Sequence, residues 1–324
     1  MQADGVLSGG GVKGIAFAGA VAAAEEAGYT EWMRLAGTSA GAIAAMALAV
    51  GYDAGGMREA LEATDYTRIG ESSNPLRRAI NLVGCHALTR GTGLTDWIEG
   101  LLRNAPAPAS AFGELEGRLQ VVGCDLAHTR LVVFPDDVAL YEDERGRPLR
   151  PEEFPIAQAV RVSAGYPYFF PPLGLRDRAT KKEAVLVDGG VASAFPVFLF
   201  DRPAPRRPTW GFRLHAGMGL EHPSQREIGG IDWPVEMARA ILDTAMNAFD
   251  TRDVLAFGDR VVSIPTGDVE TLDFNLSAEQ RDFLFSSGHE AGTAFFAAHP
   301  SGRNAFGEVP DTGDDKSRGG PAGG

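Results

Sequence analysis

Short apolar runs closed by glycine alternate with longer runs at helical spacing, the pattern of strands handing over to helices in an α/β protein. Val6-Leu7 runs into Gly9-Gly10-Gly11; residues 11–27 are small and apolar on nearly every face, and Gly28 supplies a stop. Residues 33–36 form a second strand pattern ending in Gly37, and the apolar run at 40–50 predicts a buried helix. Residues 52–110 carry helical patterns broken by Gly and Pro, the clearest at 94–102, and predict a layer that covers the sheet or caps a site. A Pro/Ala stretch at 105–111 precedes strand patterns at 119–124 and 131–134. A charged, loop-like stretch at 141–153 leads to a short amphipathic helix at 156–164. Next comes Gly165-Tyr166-Pro167-Tyr168-Phe169-Phe170-Pro171-Pro172-Leu173, where prolines bar a helix and hold four aromatics on an extended loop, as an irregular core segment or the wall of a pocket. Strand patterns recur at 184–187, 210–214 and 260–264, and amphipathic helices at 234–256 and 277–298. Residues 311–324 predict a disordered tail. No repeat or linker intervenes, so residues 3–300 are expected to form a single α/β domain.

At 324 residues, 44% hydrophobic and 23% charged, the chain has ample material for a core. Its net charge of −13 argues against a nucleic-acid partner and against electrostatic adhesion to anionic membranes, so any peripheral lipid contact is expected to be local and apolar. Cys85 and Cys124 lack metal or redox spacing and read as buried free thiols in a reducing, cytoplasmic setting. Residues 15–24 lie behind a glycine loop and run into Glu25-Glu26, which reads as a core helix and not a signal peptide. No run reaches transmembrane length, and no Asp/Glu/His cluster suggests a metal.

Candidate chemistry concentrates in three glycine turns. Gly37-Thr38-Ser39-Ala40-Gly41 fits G-x-S-x-G, in which small neighbours let a serine stand on a sharp strand-to-helix turn at the positive end of a helix. Gly9-Gly10-Gly11-Val12-Lys13-Gly14 offers backbone N–H groups to a developing oxyanion with no side chain in the way. The same turn matches a dinucleotide fingerprint, but the following strand ends in the serine turn and not in an acidic residue; nor does it have Walker spacing. Asp188-Gly189-Gly190 follows a strand pattern and reads either as an ordinary turn or as a carboxylate facing the same sheet edge as Ser39, if both strands run parallel. Only one strand precedes the serine strand, too few for an ordinary α/β-hydrolase. His215, His222, His289 and His299, all downstream of Asp188, lack glycine-flanked strand-end loops, and His86 and His128 precede it. A Ser39–Asp188 pair is the simpler arrangement, with Asp188 as base and its pKa raised by burial.

These three turns, in this order, resemble the motifs of patatin-like phospholipases, and residues 159–172 resemble the segment before that family's aspartate. The resemblance is tight over the motifs and loose across residues 3–200. It implies a three-layer α/β/α sandwich with a mostly parallel sheet, and a Ser39–Asp188 dyad. It further implies an oxyanion hole from Gly9, Gly10 and Gly11, and calcium-independent hydrolysis of phospholipids or other acyl-ester lipids without a cofactor. Lys13 matches the family's basic position; Gly14, Gly37, Gly41, Gly189 and Gly190 would support the turns. Ser193 and Ala194 stand where relatives often carry asparagines. Acyl transfer to another alcohol, a lipid-binding module with an idle dyad, and an effector silent without an activator are the alternative functions.

Overall fold

The structure is a computed structural model that describes residues 1–64, 69, 87–202, 205–215, 258–271 and 273–299. The helix expected at 234–256, the tail, His86, His222 and Cys85 lie outside the described residues.

The first two strand patterns fold as expected into β1 (Gln2–Leu7) and β2 (Glu31–Thr38), separated by α1 (Ile15–Glu26). The helix read from residue 11 starts as a 3-10 turn at Gly11–Gly14. α2 (Ala40–Ala49) follows β2 directly, then α3 (Ala54–Glu62) and α4 (Thr92–Arg103). Beyond them lie β3 (Leu119–Asp125), β4 (Arg130–Phe134), β5 (Tyr141–Glu142), α5 (Ile156–Ser163), β6 (Leu173–Asp177) and β7 (Glu183–Asp188). β8 (Thr209–His215), β9 (Val261–Pro265) and α6 (Ala278–Ala298) complete the described elements. β5 falls at the start of the stretch read as a charged loop, and β6 starts at Leu173, the last residue of the aromatic stretch; they are held by antiparallel pairing to each other and of β6 to β7.

The strands form one mixed sheet in the order β5-β6-β7-β3-β2-β1-β8-β9, with β4 also paired to β3, and helices flank it in a three-layer α/β/α arrangement. Pairing is parallel from β3 through β2, β1 and β8 to β9 and antiparallel on the β4 to β7 side, so the sheet expected to be mostly parallel is mixed, with half its pairings parallel. Successive residues of the inner strands face opposite layers, as strand geometry requires. Leu7 and Leu35 join the main core, whereas Val6 and Ala36 pack with Phe195, Val197 and Phe200 in a second cluster.

The alanine-rich α1 owes its composition to α6, which lies almost in contact with its backbone. A Cβ on Gly288 would sit 1.9 Å from the Ala16 carbonyl oxygen, and one on Gly19 would sit 2.0 Å from that of Phe285. Only glycine permits so close an approach.

The way β7 enters the sheet places the site. β4 pairs with Val121–Asp125 of β3, β2 with Leu119–Val122 and β7 with Gly123–Asp125. Since β4 overlaps both partners, β2 and β7 must share the opposite edge of β3, approaching each other from opposite directions. β2 stops at Thr38, opposite Val122, and β7 stops at Asp188, opposite Gly123. Ser39 and Asp188 are therefore brought together by two strand ends meeting head-on, not by parallel strands sharing an edge.

Candidate active site

Ser39 sits between the last residue of β2 and the first of α2 with φ 54° and ψ −122°, a left-handed conformation that costs a non-glycine residue of order 1–3 kcal/mol and that surrounding structure must hold in place. The neighbouring glycines show why the turn closes. A Cβ on Gly37 would lie 2.2 Å from the Gly41 carbonyl oxygen, and one on Gly41 would lie 2.2 Å from that of Leu7. Two further contacts pin the turn from outside. The Ser39 N–H donates to the Ser163 hydroxyl (3.0 Å), which itself donates to the Val122 carbonyl (2.6 Å); the Thr38 hydroxyl donates to the Ser193 carbonyl (3.0 Å).

Asp188 is buried. Its Oδ1 accepts the Gly190 N–H at 2.8 Å, and its own N–H donates to the Gly165 carbonyl at 3.2 Å. Its Oδ2 is buried and has no hydrogen-bond partner. Burial pushes the carboxyl up to about 7, against the opposing pull of the Gly190 N–H and the Ser39 hydroxyl. That hydroxyl favours the carboxylate, although Oδ2 accepts no hydrogen bond of normal geometry.

The first glycine turn lies over the same point, but its three amides differ. The Gly9 N–H, expected to face an oxyanion, donates instead to the Ala194 carbonyl at 2.8 Å and is spent on holding the loop. The amides of Gly10 and Gly11 are bonded to no described residue. The Val12 N–H donates to the Thr271 carbonyl (3.1 Å), bringing the chain after β9 onto the turn. Gly14 lines the cavity beside Ser39, and Lys13 is half-buried on the 3-10 turn. The positions occupied by Ser193 and Ala194 act through their backbone: Ser193 N–H donates to the Gly189 carbonyl (2.8 Å), while the Ser193 and Ala194 carbonyls accept from Thr38 and Gly9. Asparagine side chains are not needed to hold the loop after Asp188, and Gly189 and Gly190 are buried in its first turn.

Ser39, Asp188 and Gly11 stand at one end of a cavity of about 90 Å³ whose walls are almost wholly apolar. α2 supplies Ile43 and Ala47, α3 Met57, and α4 Leu94 and Trp97, so the described helices after α2 line the cavity, in keeping with the second of the two places their patterns allowed. Of the aromatic stretch, Tyr166 and Phe170 are buried and line the cavity, whereas Tyr168 is exposed. Phe169 stacks on Phe274, another lining residue, with ring centroids 5.3 Å apart. Sequence reasoning missed Ser163, Thr271 and Phe274; only the aromatic character of Phe274 hinted at a wall.

No histidine is among the lining residues. His128 pairs with Asp125 (2.9 Å) and Thr180, His289 with Glu26, and His299 with the Phe295 carbonyl. Cys124 is a buried free thiol pushed up to about 11, first by burial and then by Asp125 and Asp188. Among the described residues no group of acidic, His and Cys side chains is arranged to hold a metal, and no helix is long and apolar enough to cross a membrane.

A family model for patatin-like phospholipase matches residues 5–201, which contain all three glycine turns, with Ser39 and Asp188. The chain belongs to the patatin-like phospholipase family. It is 36% identical over 296 residues to the uncharacterized protein YqhO of Bacillus subtilis (strain 168), covering 89% of this chain and 96% of that one. Among solved structures, VipD from Legionella pneumophila superposes with a TM-score of 0.57 at 20% identity over 92% of this chain and 67% of its own. The type III effector ExoU of Pseudomonas aeruginosa gives 0.50 at 18% identity over 93% of this chain, which spans only 53% of ExoU. At such identities these two show the shared fold.

Proposed function

We propose that the chain is a serine lipid acyl hydrolase of phospholipase A or lysophospholipase type, working through a Ser39–Asp188 dyad and an acyl-Ser39 intermediate. The observation that carries this reading is the unpartnered Oδ2 of a buried carboxylate, raised to about 7, beside a serine on a strained turn at the end of an apolar cavity.

In the first half-reaction Asp188 Oδ2 takes the Ser39 hydroxyl proton as Oγ attacks the ester carbonyl. Negative charge collects on the carbonyl oxygen, facing the free amides of Gly10 and Gly11 and the positive end of α2. Collapse expels the alcohol, which receives the proton from Asp188. Water then attacks the acyl-serine by the same proton route and releases the fatty acid. A carboxylate of ordinary pKa is a weak base for a serine; a pKa near 7 makes the transfer less uphill at neutral pH. The acyl chain lies along the apolar walls, which offer it burial and no competing polar groups. The described histidines His128, His289 and His299 are engaged elsewhere, which favours Asp188 as the base.

Since Asp188 acts only when ionised, kcat/KM is expected to fall as pH drops, tenfold per unit below a midpoint of about 7. A profile measured on a soluble short-chain ester that is flat from pH 5 to 8 would remove Asp188 as the base.

A further inference from the structure

Arg161 lies on α5, one turn before Ala164 of the cavity wall and two residues before the Ser163 that holds the Ser39 amide. It is half-buried. Its guanidinium packs against Gly91 at the amino end of α4: a Cβ on Gly91 would sit 2.8 Å from Arg161 Nη2 and 3.2 Å from Pro171 Cδ. The three segments meeting here each contribute to the cavity within three residues, through Leu94, Ala164 and Phe170. The guanidinium thus lies beside three segments that wall the cavity, without being one of its lining residues.

The surroundings of this cation are unlike those of other arginines drawn into the fold. Arg34 and Arg207 meet Asp4, Arg130 meets Asp125 and Asp177, and Arg260 meets Asp201. Arg161 has no ion pair or hydrogen bond among the described residues, and burial alone lowers its pKa. A desolvated guanidinium without an anion is costly, and the positive end of a twelve-residue helix beside it adds to the cost. Both terms reverse sign when an anion binds beside them. The planar fork of arginine suits two oxygens of a phosphate.

We propose that Arg161 is a specificity-determining residue that binds the phosphate of a phospholipid whose acyl ester lies at Ser39. This rests on the acyl-hydrolase reading of the same site, and it selects phosphate-bearing lipids over neutral acylglycerols.

The test compares kcat/KM for dihexanoyl phosphatidylcholine and dihexanoylglycerol in wild type, Arg161→Gln and Arg161→Lys, each first checked for folding by circular dichroism. The phospholipid-to-acylglycerol ratio should fall about tenfold to hundredfold in Arg161→Gln, the range for losing a hydrogen bond to a charged group, and less in Arg161→Lys, which keeps the charge. An unchanged ratio, including an equal loss on both substrates from a structural effect, overturns the proposal. Should wild type cleave neither ester, the hydrolase reading fails and inorganic phosphate decides for Arg161. A larger rise in Tm with phosphate in wild type than in Arg161→Gln, at matched ionic strength, supports an anion site, and equal rises overturn it.

Discussion

Ser163 joins three chain segments through one oxygen, accepting from the Ser39 amide and donating to the Val122 carbonyl. In the sequence it is a polar residue at the end of an amphipathic helix, and nothing local marks it, because its partners are 124 and 41 residues away. Removing the hydroxyl leaves a buried N–H and a buried carbonyl short of a partner. Ser163→Ala is therefore expected to lower stability by about 1–3 kcal/mol in urea unfolding and to reduce kcat more than it raises KM, since the Ser39 turn loses its restraint. Stability unchanged within error would show that the turn needs no such clamp. Asp188 makes the opposite trade. Its folded pKa of about 7 lies above the ordinary 3.8, so its contribution to stability is fully present below 3.8 and is lost as pH rises through 7, by at most roughly 4 kcal/mol. Asp188→Asn removes the buried charge at little change in size. Its Tm, taken relative to wild type, should climb between pH 4 and pH 8; a difference independent of pH would mean that the carboxyl titrates normally.

At the scale of elements, the glycine turns at 9–14, 37–41 and 188–190 were legible because each satisfies a local steric demand that residue type reveals. The Gly37 and Gly41 clashes with backbone oxygens are of this kind. The approach of β7 was not legible. Strand direction is set by pairing across the sheet, and Glu183–Asp188 reads the same whether it enters parallel or antiparallel to β3. The role of the chain after β9 was equally hidden, since the Val12 to Thr271 hydrogen bond joins positions far apart in sequence. The small residues of α1 imply close packing against the sheet, but the closest approach the structure shows is to α6. Gly288→Val would drive a branched side chain into the Ala16 carbonyl. It should cost about 3 kcal/mol and lower the urea midpoint with little effect on KM, because α6 contributes nothing to the cavity wall. A midpoint equal to wild type would contradict the tight α1–α6 contact.

For the molecule as a whole, family membership and the meeting of β2 and β7 give the same picture: a mixed sheet presenting a serine and a carboxylate at the head of an apolar cavity. A net charge of −13 leaves little general attraction to anionic lipid, so substrate capture falls to the cavity and to local cations such as Arg161. Free fatty acid release from mixed phospholipid micelles, measured with EDTA present for wild type and Ser39→Ala, tests this picture most directly. The account predicts release by wild type that chelation leaves intact and that Ser39→Ala abolishes. Equal release by both proteins, or release that requires added calcium, would contradict it.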